Sequence, residues 1–408
     1  MNDRHLLVGD ATDYTLCGDP FCPNGYAYAY ERDADGEWVF TQRIEPSDLG
    51  WNYGFGRAIA LDGDRAIITR TFGPDCGGVP YLFEYDGERW VETGQLCPPP
   101  LSGVDGSGVE LRGNMAVVRT LSGVLVYQQD PEDWTLTHTL FNPDGTGEAS
   151  SFGIDFDFND DWLVIGASYE RITAIFGGAA YVYRRLPDGE LELAQKLVAP
   201  DILTGPQFGN SVALEGDTLI IGGNISDRSF VEQGALYVHR LVDGQWVLEQ
   251  ELTHSDPAAR DRFGVSLALD GDLLLVGAGS KPTPLTIGAA YLFRRGGDGH
   301  WREVGPVLPD EPAYQYGFWL ALADGMAAIG ARDTVVAGEF TGSVDIFDIS
   351  CFLCAPDLDA DGALTIFDFL LFFNLFQDGD SIADFDGDGE LTIFDFLAFQ
   401  TAFDAGCE

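Results

Sequence analysis

Two short aspartate-rich segments near the carboxyl end carry the residues best suited to chemistry. Each has carboxylates at its first, third and fifth positions, glycine at the sixth and aspartate at the twelfth, and the second copy starts 27 residues after the first. Ca²⁺ prefers six to eight oxygen ligands, and glycine at the sixth position permits the sharp turn of a twelve-residue calcium loop. The pattern therefore predicts two Ca²⁺ sites. The expected ligands are Asp357, Asp359, Asp361, the Ala363 carbonyl and Asp368 in the first loop, and Asp384, Asp386, Asp388, the Glu390 carbonyl and Asp395 in the second.

The threonine at the ninth position of each loop, Thr365 or Thr392, lies where a water often mediates the contact with Ca²⁺. One helix is expected to follow each loop, but no amphipathic helix precedes it, and the twelfth position holds aspartate where an EF-hand has glutamate. The duplicated segment resembles a dockerin, most closely the bacterial variety that is bracketed by cysteine and ends in Gly-Cys, here Cys354 and Gly406-Cys407. The resemblance implies a cohesin-like partner.

In dockerins the tenth and eleventh loop positions face the cohesin, and here they hold Ile366-Phe367 and Ile393-Phe394. Identical apolar pairs in both halves could anchor a partner in either of two orientations. A domain of this size also needs a core, for which neighbouring side chains compete: Phe369, Leu370, Phe373, Phe396, Leu397 and Phe403. The alternative is a calcium-stabilised structural cap that packs against the rest of the chain and has no receptor.

The region that precedes this tail is built from sequence repeats. A motif similar to FGNSVALEGDTLIIGG recurs at residues 55, 105, 152, 208, 263 and 316, and the copy at 105 lacks the aromatic residue. Each unit alternates apolar and polar residues and has Asp-Gly turns, as hairpins require. Four short antiparallel strands per unit, repeated radially, predict a β-propeller. The chain is thus divided into a mainly β domain, residues 1–349, and a small α-helical calcium-loop domain, residues 350–408.

The phrases FG, GA and GAAYVY resemble the FG-GAP repeat of integrin-α-type seven-bladed propellers. Some blades of that family carry calcium in an Asp-x-Asp-x-Asp loop, but no repeat unit here has that spacing. Asp33-Ala-Asp35-Gly36 is interpreted as a turn instead.

The two ends of the repeat array are incomplete. Aligning His5 with Thr218 places Met1 opposite Leu214, so that the first of seven blades lacks its inner strand. The last unit stops at its third strand, Ser343 to Phe347, and lacks the outer one. Because an edge strand without a partner is a liability, we expect one or two strands and a signal peptide upstream of Met1.

Loops and cysteines indicate where the protein acts. The loops between second and third strands and between blades share one face and are long, as at 10–25, 169–177, 224–233 and 280–287. Variable loops on a rigid scaffold often bind ligands.

Seven cysteines suggest disulfides of an exported protein, with one cysteine left over. The expected pairs are Cys17 with Cys22, Cys76 with Cys97, and Cys354 with Cys407. The alternative is a set of buried small residues in a cytosolic protein.

Composition excludes several functions. Sixty-six acidic against 22 basic residues give a formal charge of -44, which repels nucleic acid and anionic lipid. No stretch is long and apolar enough to span a membrane. No His-Glu-x-x-His, Gly-x-Ser-x-Gly or phosphate loop is present, and five scattered histidines offer no catalytic cluster.

The sequence therefore predicts a non-catalytic, monomeric, extracellular or cell-surface protein, in which the propeller loops bind an extracellular ligand and the tail docks. The alternative is a secreted polysaccharide-active enzyme carried by a dockerin, because two of the many carboxylates could perform glycoside hydrolysis.

Overall fold

The structure is a computed structural model. It describes residues 1–13, 24–34, 36–48, 54–71, 79–99, 104–131, 133–145, 151–172, 175–200, 207–224, 233–282, 287–309, 313–336, 339–349, 356–358, 364–378, 383, 385 and 391–406.

Seven antiparallel sheets follow one another along the chain and form the blades of a β-propeller. Blade 1 contains β1 (His5–Asp13), β2 (Asn24–Arg32) and β3 (Trp38–Ile44). Blade 2 contains β4 (Ile59–Asp62), β5 (Arg65–Arg70), β6 (Val79–Tyr85) and β7 (Trp90–Gln95). Blade 3 contains β8 (Val104–Arg112), β9 (Met115–Thr120), β10 (Gly123–Gln129) and β11 (Trp134–Phe141).

The second half of the ring repeats this order. Blade 4 contains β12 (Phe152–Phe158), β13 (Trp162–Ala167), β16 (Ala179–Arg185) and β17 (Leu191–Leu197), with a small ribbon of β14 (Arg171–Ile172) and β15 (Ile175–Phe176) between its second and third strands. Blade 5 contains β18 (Phe208–Glu215), β19 (Thr218–Gly223), β20 (Ala235–Val242) and β21 (Gln245–Leu252). Blade 6 contains β22 (Phe263–Asp270), β23 (Leu273–Pro282), β24 (Ile287–Arg295) and β25 (Trp301–Val307).

Blade 7 contains β27 (Trp319–Ala323), β28 (Met326–Val336) and β29 (Glu339–Asp348). Before it, the short β26 (Tyr314–Tyr316) pairs in parallel with β24. Seven blades and the incomplete first and last sheets are as predicted: among the described residues, blade 1 has no strand inside β1 and blade 7 has none outside β29.

The core lies between neighbouring blades. Second and third strands are apolar on both faces because each face packs against an adjacent blade, and residues such as Ile220, Ile221 and Tyr237 are fully buried. Six clusters of buried apolar side chains each join one blade to the next, from blades 1 and 2 to blades 6 and 7. The ring is thus stabilised by sheet-on-sheet packing.

Short turns join first to second and third to fourth strands on one face of the ring. Asp243 and Gly244, in the turn between β20 and β21, both have positive φ, the geometry for which Asp-Gly is selected in tight hairpins. At the predicted turn near Asp33, its carboxylate accepts the Glu37 backbone N–H at 2.9 Å, which fits a structural role.

Two helices of equal length follow the propeller, α1 (Ile366–Asp378) and α2 (Ile393–Ala405). They pack on each other through Phe372 and Phe399, whose rings stack with centroids 4.4 Å apart. Aromatic side chains provide most of this small core. Neither helix has the length or the apolar character needed to cross a bilayer.

Candidate functional site

Both helices begin with the same capping arrangement. The Thr392 hydroxyl accepts the Phe394 N–H at 3.1 Å, and the Asp395 carboxylate accepts the Thr392 N–H at 2.6 Å. In the first copy Thr365 and Asp368 make the same two bonds at 3.1 and 2.8 Å. These reciprocal bonds satisfy N–H groups that a helix start leaves without partners. The threonine predicted to lie near a water-mediated ligand position therefore also fixes the helix start.

Asp368 links the start of the first loop to its end. Its second carboxylate oxygen accepts the backbone N–H of Leu358 at 2.9 Å. This bond places Asp357, the first predicted ligand, near Asp368, the last. Asp357, Asp368 and Asp395 are all buried. The other predicted ligands lie outside the described residues: Asp359, Asp361, Ala363, Asp384, Asp386, Asp388 and Glu390.

The chemistry of this segment fits a divalent cation. Residues 351–408 contain 13 acidic residues and no lysine, arginine or histidine. Burying carboxylates is costly unless positive charge or hydrogen bonds compensate for the lost hydration. Because the segment supplies no side-chain cation of its own, bound Ca²⁺ is a fitting source of that charge.

The apolar pairs at the helix starts are exposed. Between 62 and 65% of the surface of each of these four residues is accessible: Ile366, Phe367, Ile393 and Phe394. Among the side chains predicted to compete for the core, Phe369, Phe396 and Phe403 pack into the helix pair. Leu370, Phe373 and Leu397 remain exposed and extend the apolar surface. We call these seven exposed residues the apolar patch.

The helix pair rests on blade 6. The Gly297 N–H donates to the Leu358 carbonyl at 2.9 Å, and the Arg294 guanidinium donates to the Asp357 carbonyl at 3.3 Å. A Cβ at Gly297 would lie 2.8 Å from a Leu375 methyl carbon, so that a larger residue there would require the Leu375 side chain to move. Gly297 belongs to the turn between the third and fourth strands, so the tail contacts the short-turn face of the ring.

On the opposite face, polar clusters that combine buried and exposed side chains hold the connections between blades. In blade 6 the Tyr291 hydroxyl donates to Asp256 at 2.7 Å, and burial followed by this bond raises the pKa of Tyr291. His254 lies between Asp256 and Asp261, with a ring nitrogen 3.1 Å from an oxygen of each carboxylate. The Lys281 ammonium donates to the Asp256 carbonyl at 2.6 Å.

Blades 2 and 4 use related groups. Tyr81 and the buried Arg70 both donate to Asp48, at 3.0 to 3.2 Å. Tyr181 donates to Asp144 at 3.2 Å, and Lys196 also donates to that carboxylate. Hydrogen bonds therefore hold the stems of the loop face in place. Four long loops are predicted to bind a ligand, at 10–25, 169–177, 224–233 and 280–287. Residues 14–23, 173–174, 225–232 and 283–286 of these loops lie outside the described residues.

Inner strands bring a group of carboxylates into the central channel that the sequence analysis did not identify. Burial, followed by repulsion from Asp157, raises the pKa of Glu110 to about 8. Burial also raises the pKa of Asp155 to about 7, and that of Asp157 to about 6 despite the nearby Arg112. The alternation of β8 and β12 could have identified them, because every second residue of an inner strand faces the channel.

Of the scattered histidines, His239 is a buried blade residue, and burial lowers its pKa to about 4. Cys97 is exposed at the end of blade 2. The other cysteines assigned to disulfides lie outside the described residues, so the three pairings stay predictions: Cys17, Cys22, Cys76, Cys354 and Cys407.

Two segments of the chain match the family described as the FG-GAP repeat, residues 192–239 and 246–293. The chain contains FG-GAP repeats. Such propellers are typically non-enzymatic and extracellular, and propeller domains often mediate protein–protein interactions. No family match covers the helix pair. No curated protein matches the chain.

Solved structures are similar to this chain at low sequence identity. A protein from Lactobacillus plantarum is 15% identical, with a TM-score of 0.50 over 84% of this chain and 96% of its own. A functionally unknown protein from Desulfotomaculum acetoxidans is 13% identical, with a TM-score of 0.49 over 79 and 95% of the two chains. Hsv2 from Kluyveromyces lactis is 11% identical, with a TM-score of 0.46 over 80 and 94%.

Proposed function

We propose that this protein is a non-catalytic, extracellular or cell-surface binding protein with two working surfaces. The long-loop face of the FG-GAP propeller binds an extracellular ligand. The dockerin-like tail, loaded with two Ca²⁺ ions, docks to a cohesin-like partner through the apolar patch.

The observation that carries the docking proposal is the exposure of the same two side chains at the start of both helices. Four large apolar side chains that are mostly accessible cost hydration free energy in a monomer, and a contiguous apolar patch of this kind often marks a protein interface. Because the capping bonds of the two copies match, the two Ile-Phe pairs stand at equivalent positions of their helices. A partner could therefore bind in either of two orientations.

Calcium binding is tested on the full chain by isothermal titration with CaCl₂ after chelation. We expect two ions per chain, and we expect Asp368→Asn and Asp395→Asn to remove one ion each, because asparagine can still cap the helix but lacks the charge. Asp404→Asn, at an exposed position near the end of α2, is the matched control. A stoichiometry of zero in the unaltered chain would contradict this part of the proposal.

Docking is tested against a panel of immobilised recombinant cohesin modules with Ca²⁺ present. Phe367→Ala and Phe394→Ala should each retain binding to a responding module through the other orientation, whereas the double variant should lose it. Phe141→Ala, at a propeller residue of similar exposure, controls for a general loss of apolar surface. If the double variant binds a responding module as well as the unaltered chain, the patch is not the docking surface.

The structural-cap alternative is favoured by the contact between the tail and blade 6. If the tail only caps the ring, chelation of Ca²⁺ and Gly297→Leu should both lower the melting temperature of the propeller by several degrees. If the tail docks, chelation should abolish partner binding and leave the propeller transition in place. Differential scanning calorimetry distinguishes the two outcomes.

A further inference from the structure

The turn between β24 and β25 of blade 6 is of a type that three blades share. In blade 6 the Gly296 N–H donates to the His300 carbonyl at 2.9 Å, and the Gly299 N–H donates to the Gly296 carbonyl at 2.8 Å. The corresponding turn of blade 4 makes the same two bonds at 2.8 and 2.9 Å, and that of blade 1 makes them at 2.9 and 3.1 Å. The three turns can therefore be compared position by position.

The first central position of this turn differs among the three blades. It holds Ala34 in blade 1, Pro187 in blade 4 and Gly297 in blade 6. Proline is favoured at such a position because its φ is preset, and it has no N–H to donate. Gly297 has an N–H and donates it to the Leu358 carbonyl of the tail at 2.9 Å. Blade 6 thus has, at this position, a residue that lets the tail approach and bond.

The tail segment that receives this bond is held from two sides. Blade 6 donates to the carbonyls of both Asp357 and Leu358, from Arg294 at 3.3 Å and from Gly297 at 2.9 Å. Between those two carbonyls, the Leu358 N–H donates to the Asp368 carboxylate at 2.9 Å. Asp357 and Leu358 are both buried. Successive main-chain groups therefore bond alternately to blade 6 and to the start of α1.

This arrangement connects blade 6 with both ends of the first predicted calcium loop, since Asp357 is its first expected ligand and Asp368 is its last. The helix that follows the loop touches the same turn, because a Cβ at Gly297 would lie 2.8 Å from a Leu375 methyl carbon. Ligands that are already held in place lose less conformational freedom when an ion binds. Contact with blade 6 is therefore expected to favour Ca²⁺ binding at this loop.

The second loop is anchored differently. The counterpart of Leu358 is Phe385, whose N–H donates to the Ala383 carbonyl at 3.1 Å. The Phe385 ring packs against Phe372 and Phe399, with centroids 5.9 and 5.1 Å apart. These described contacts lie within the tail, so a change in the blade 6 turn does not reach the second loop through them.

We propose that the blade 6 turn positions the first calcium loop, so that contact of the tail with blade 6 and Ca²⁺ binding at that loop strengthen each other. Gly297 is the positioning residue, and it acts through Leu358 on Asp368. Because such linkage is reciprocal, the ion stabilises the contact by the same factor by which the contact raises the affinity for the ion. This inference rests on the proposed Ca²⁺ binding and assigns the propeller a part in regulating it.

Gly297 is the position at which the effect can be measured without a change of charge. Removing Arg294 would mix two effects, because its positive charge repels a bound cation while its hydrogen bond orders the loop. Gly297→Pro removes the N–H and reproduces the residue found at Pro187 in the equivalent turn. Gly297 does not have positive φ, so the turn can accept proline and the propeller is expected to fold.

Isothermal titration with CaCl₂ measures each loop separately in full-length chains that carry Asp395→Asn or Asp368→Asn, because each substitution leaves the other loop unaltered. We expect Gly297→Pro to weaken binding at the first loop about tenfold, since it removes one hydrogen bond and displaces the Leu375 side chain. Binding at the second loop should not change. Pro187→Gly in blade 4 is the matched control and should change neither loop.

Amide hydrogen exchange of the unaltered chain provides a second readout. Ca²⁺ should slow exchange in residues 294–301 of blade 6 and have no effect in residues 184–191 of blade 4. If two ions bind but Gly297→Pro leaves the first loop unchanged or weakens both loops equally, this inference is wrong and the proposed calcium binding stands. Exchange at the blade 6 turn that does not respond to Ca²⁺ has the same meaning. Zero bound ions would overturn both.

Discussion

Two interfaces between blades are built from different contacts, although the sheets they join are of the same kind. One is the interface between blades 5 and 6, and the other is the interface between blades 7 and 1, called the seam. Between blades 5 and 6, a continuous apolar cluster includes Leu236, Phe263 and Tyr291. Gln250 exchanges two hydrogen bonds with the backbone of Trp301, at 2.8 and 2.9 Å, and the Ser255 N–H and hydroxyl both donate to Glu303. At the seam, no apolar cluster of the described residues joins the blades, and Arg32 lies 3.8 Å from the Met326 sulfur.

A further series of contacts shows the same contrast. At the turn between first and second strands, Asn2, Asp62, Glu215 and Asp270 each bond the backbone of the following blade. The residue at this position in blade 7 is Ala323, which has no polar group to offer. The difference teaches that repetition of sequence does not give every interface of the ring the same contacts among the described residues.

The largest effect is expected from placing a side chain inside a filled interface. Gly277→Ala would bring a Cβ within 1.9 Å of the Gly317 carbonyl oxygen, and a backbone atom cannot move aside without shifting a whole strand. We expect the variant to accumulate little folded protein, measured by the soluble yield and by the near-ultraviolet circular dichroism. A variant with the unaltered melting temperature would show that blades 6 and 7 are not packed this closely.

The next effect concerns the paired hydrogen bonds of the outer strands. Gln250→Ala leaves both backbone groups of Trp301 without their partner and should lower the free energy of unfolding by about 2 kcal/mol, as measured by urea denaturation. Gln245→Ala, in the same strand but bonded only to the adjacent Gly244 carbonyl, is the matched control and should change it by less than about 0.5 kcal/mol. Equal effects would mean that the bonds to Trp301 do not stabilise the interface.

A pH-dependent effect is expected between blades 4 and 5, where Asp155 accepts the Val212 N–H. Because burial raises the pKa of Asp155 to about 7, the protonated carboxyl stabilises the fold below about pH 4, and that stabilisation is lost as the pH rises through 7. One pKa unit corresponds to about 1.4 kcal/mol, but the Asp155 side chain is only partly buried, so that solvent reduces the effect. Asp155→Asn should therefore remove about 1 kcal/mol of this decline in stability.

Asp298→Asn is the control for the sign of this effect. A hydrogen bond from Arg302 is the main cause that lowers the pKa of Asp298, so this carboxylate stabilises the fold above its ordinary pKa and loses that contribution in acid. Urea denaturation from pH 3 to 9 should therefore show the two substitutions acting at opposite ends of the profile. Identical profiles would contradict the role assigned to the channel carboxylate.

The smallest effect is expected at the seam itself. Gly330→Ala adds a methyl group beside the exposed Trp319 and should change the melting temperature of the chain alone by no more than about 2 °C. Together with Gly277→Ala, it compares the same substitution at the same position of two blades. A destabilisation as severe as that of Gly277→Ala would show that the seam is filled.

Much of the propeller could be predicted because its signals are local and repeated. The strand pattern in the unit from Phe208 places strands at Ser211 to Leu214, Leu219 to Ile221, Ala235 to His239 and Trp246 to Leu252, and each lies within the observed β18, β19, β20 or β21. The incomplete blades at both ends also followed from alignment of the units. The contacts of Gln250 with Trp301 did not, because they join neighbouring blades through backbone groups that every residue type carries.

The tail shows a similar division. Ile366, Phe367, Ile393 and Phe394 are exposed, and the docking predicted for them from loop position stays a prediction. The hydrogen bond from Leu358 to Asp368 and the seating of the tail on Gly297 depend on three-dimensional approach, for which the sequence offers a glycine but no indication of its neighbour. The convergence of Glu110, Asp155 and Asp157 likewise depends on how two blades are rotated about the channel.

The position of the tail beside Gly297 has a consequence for how the molecule would be displayed. The helix pair lies on the short-turn face of the ring, and the described stems of the long connections lie on the opposite face. A chain bound through its tail would therefore turn its long-loop face toward the surrounding medium. Several such chains bound along one support would all present that face in the same direction.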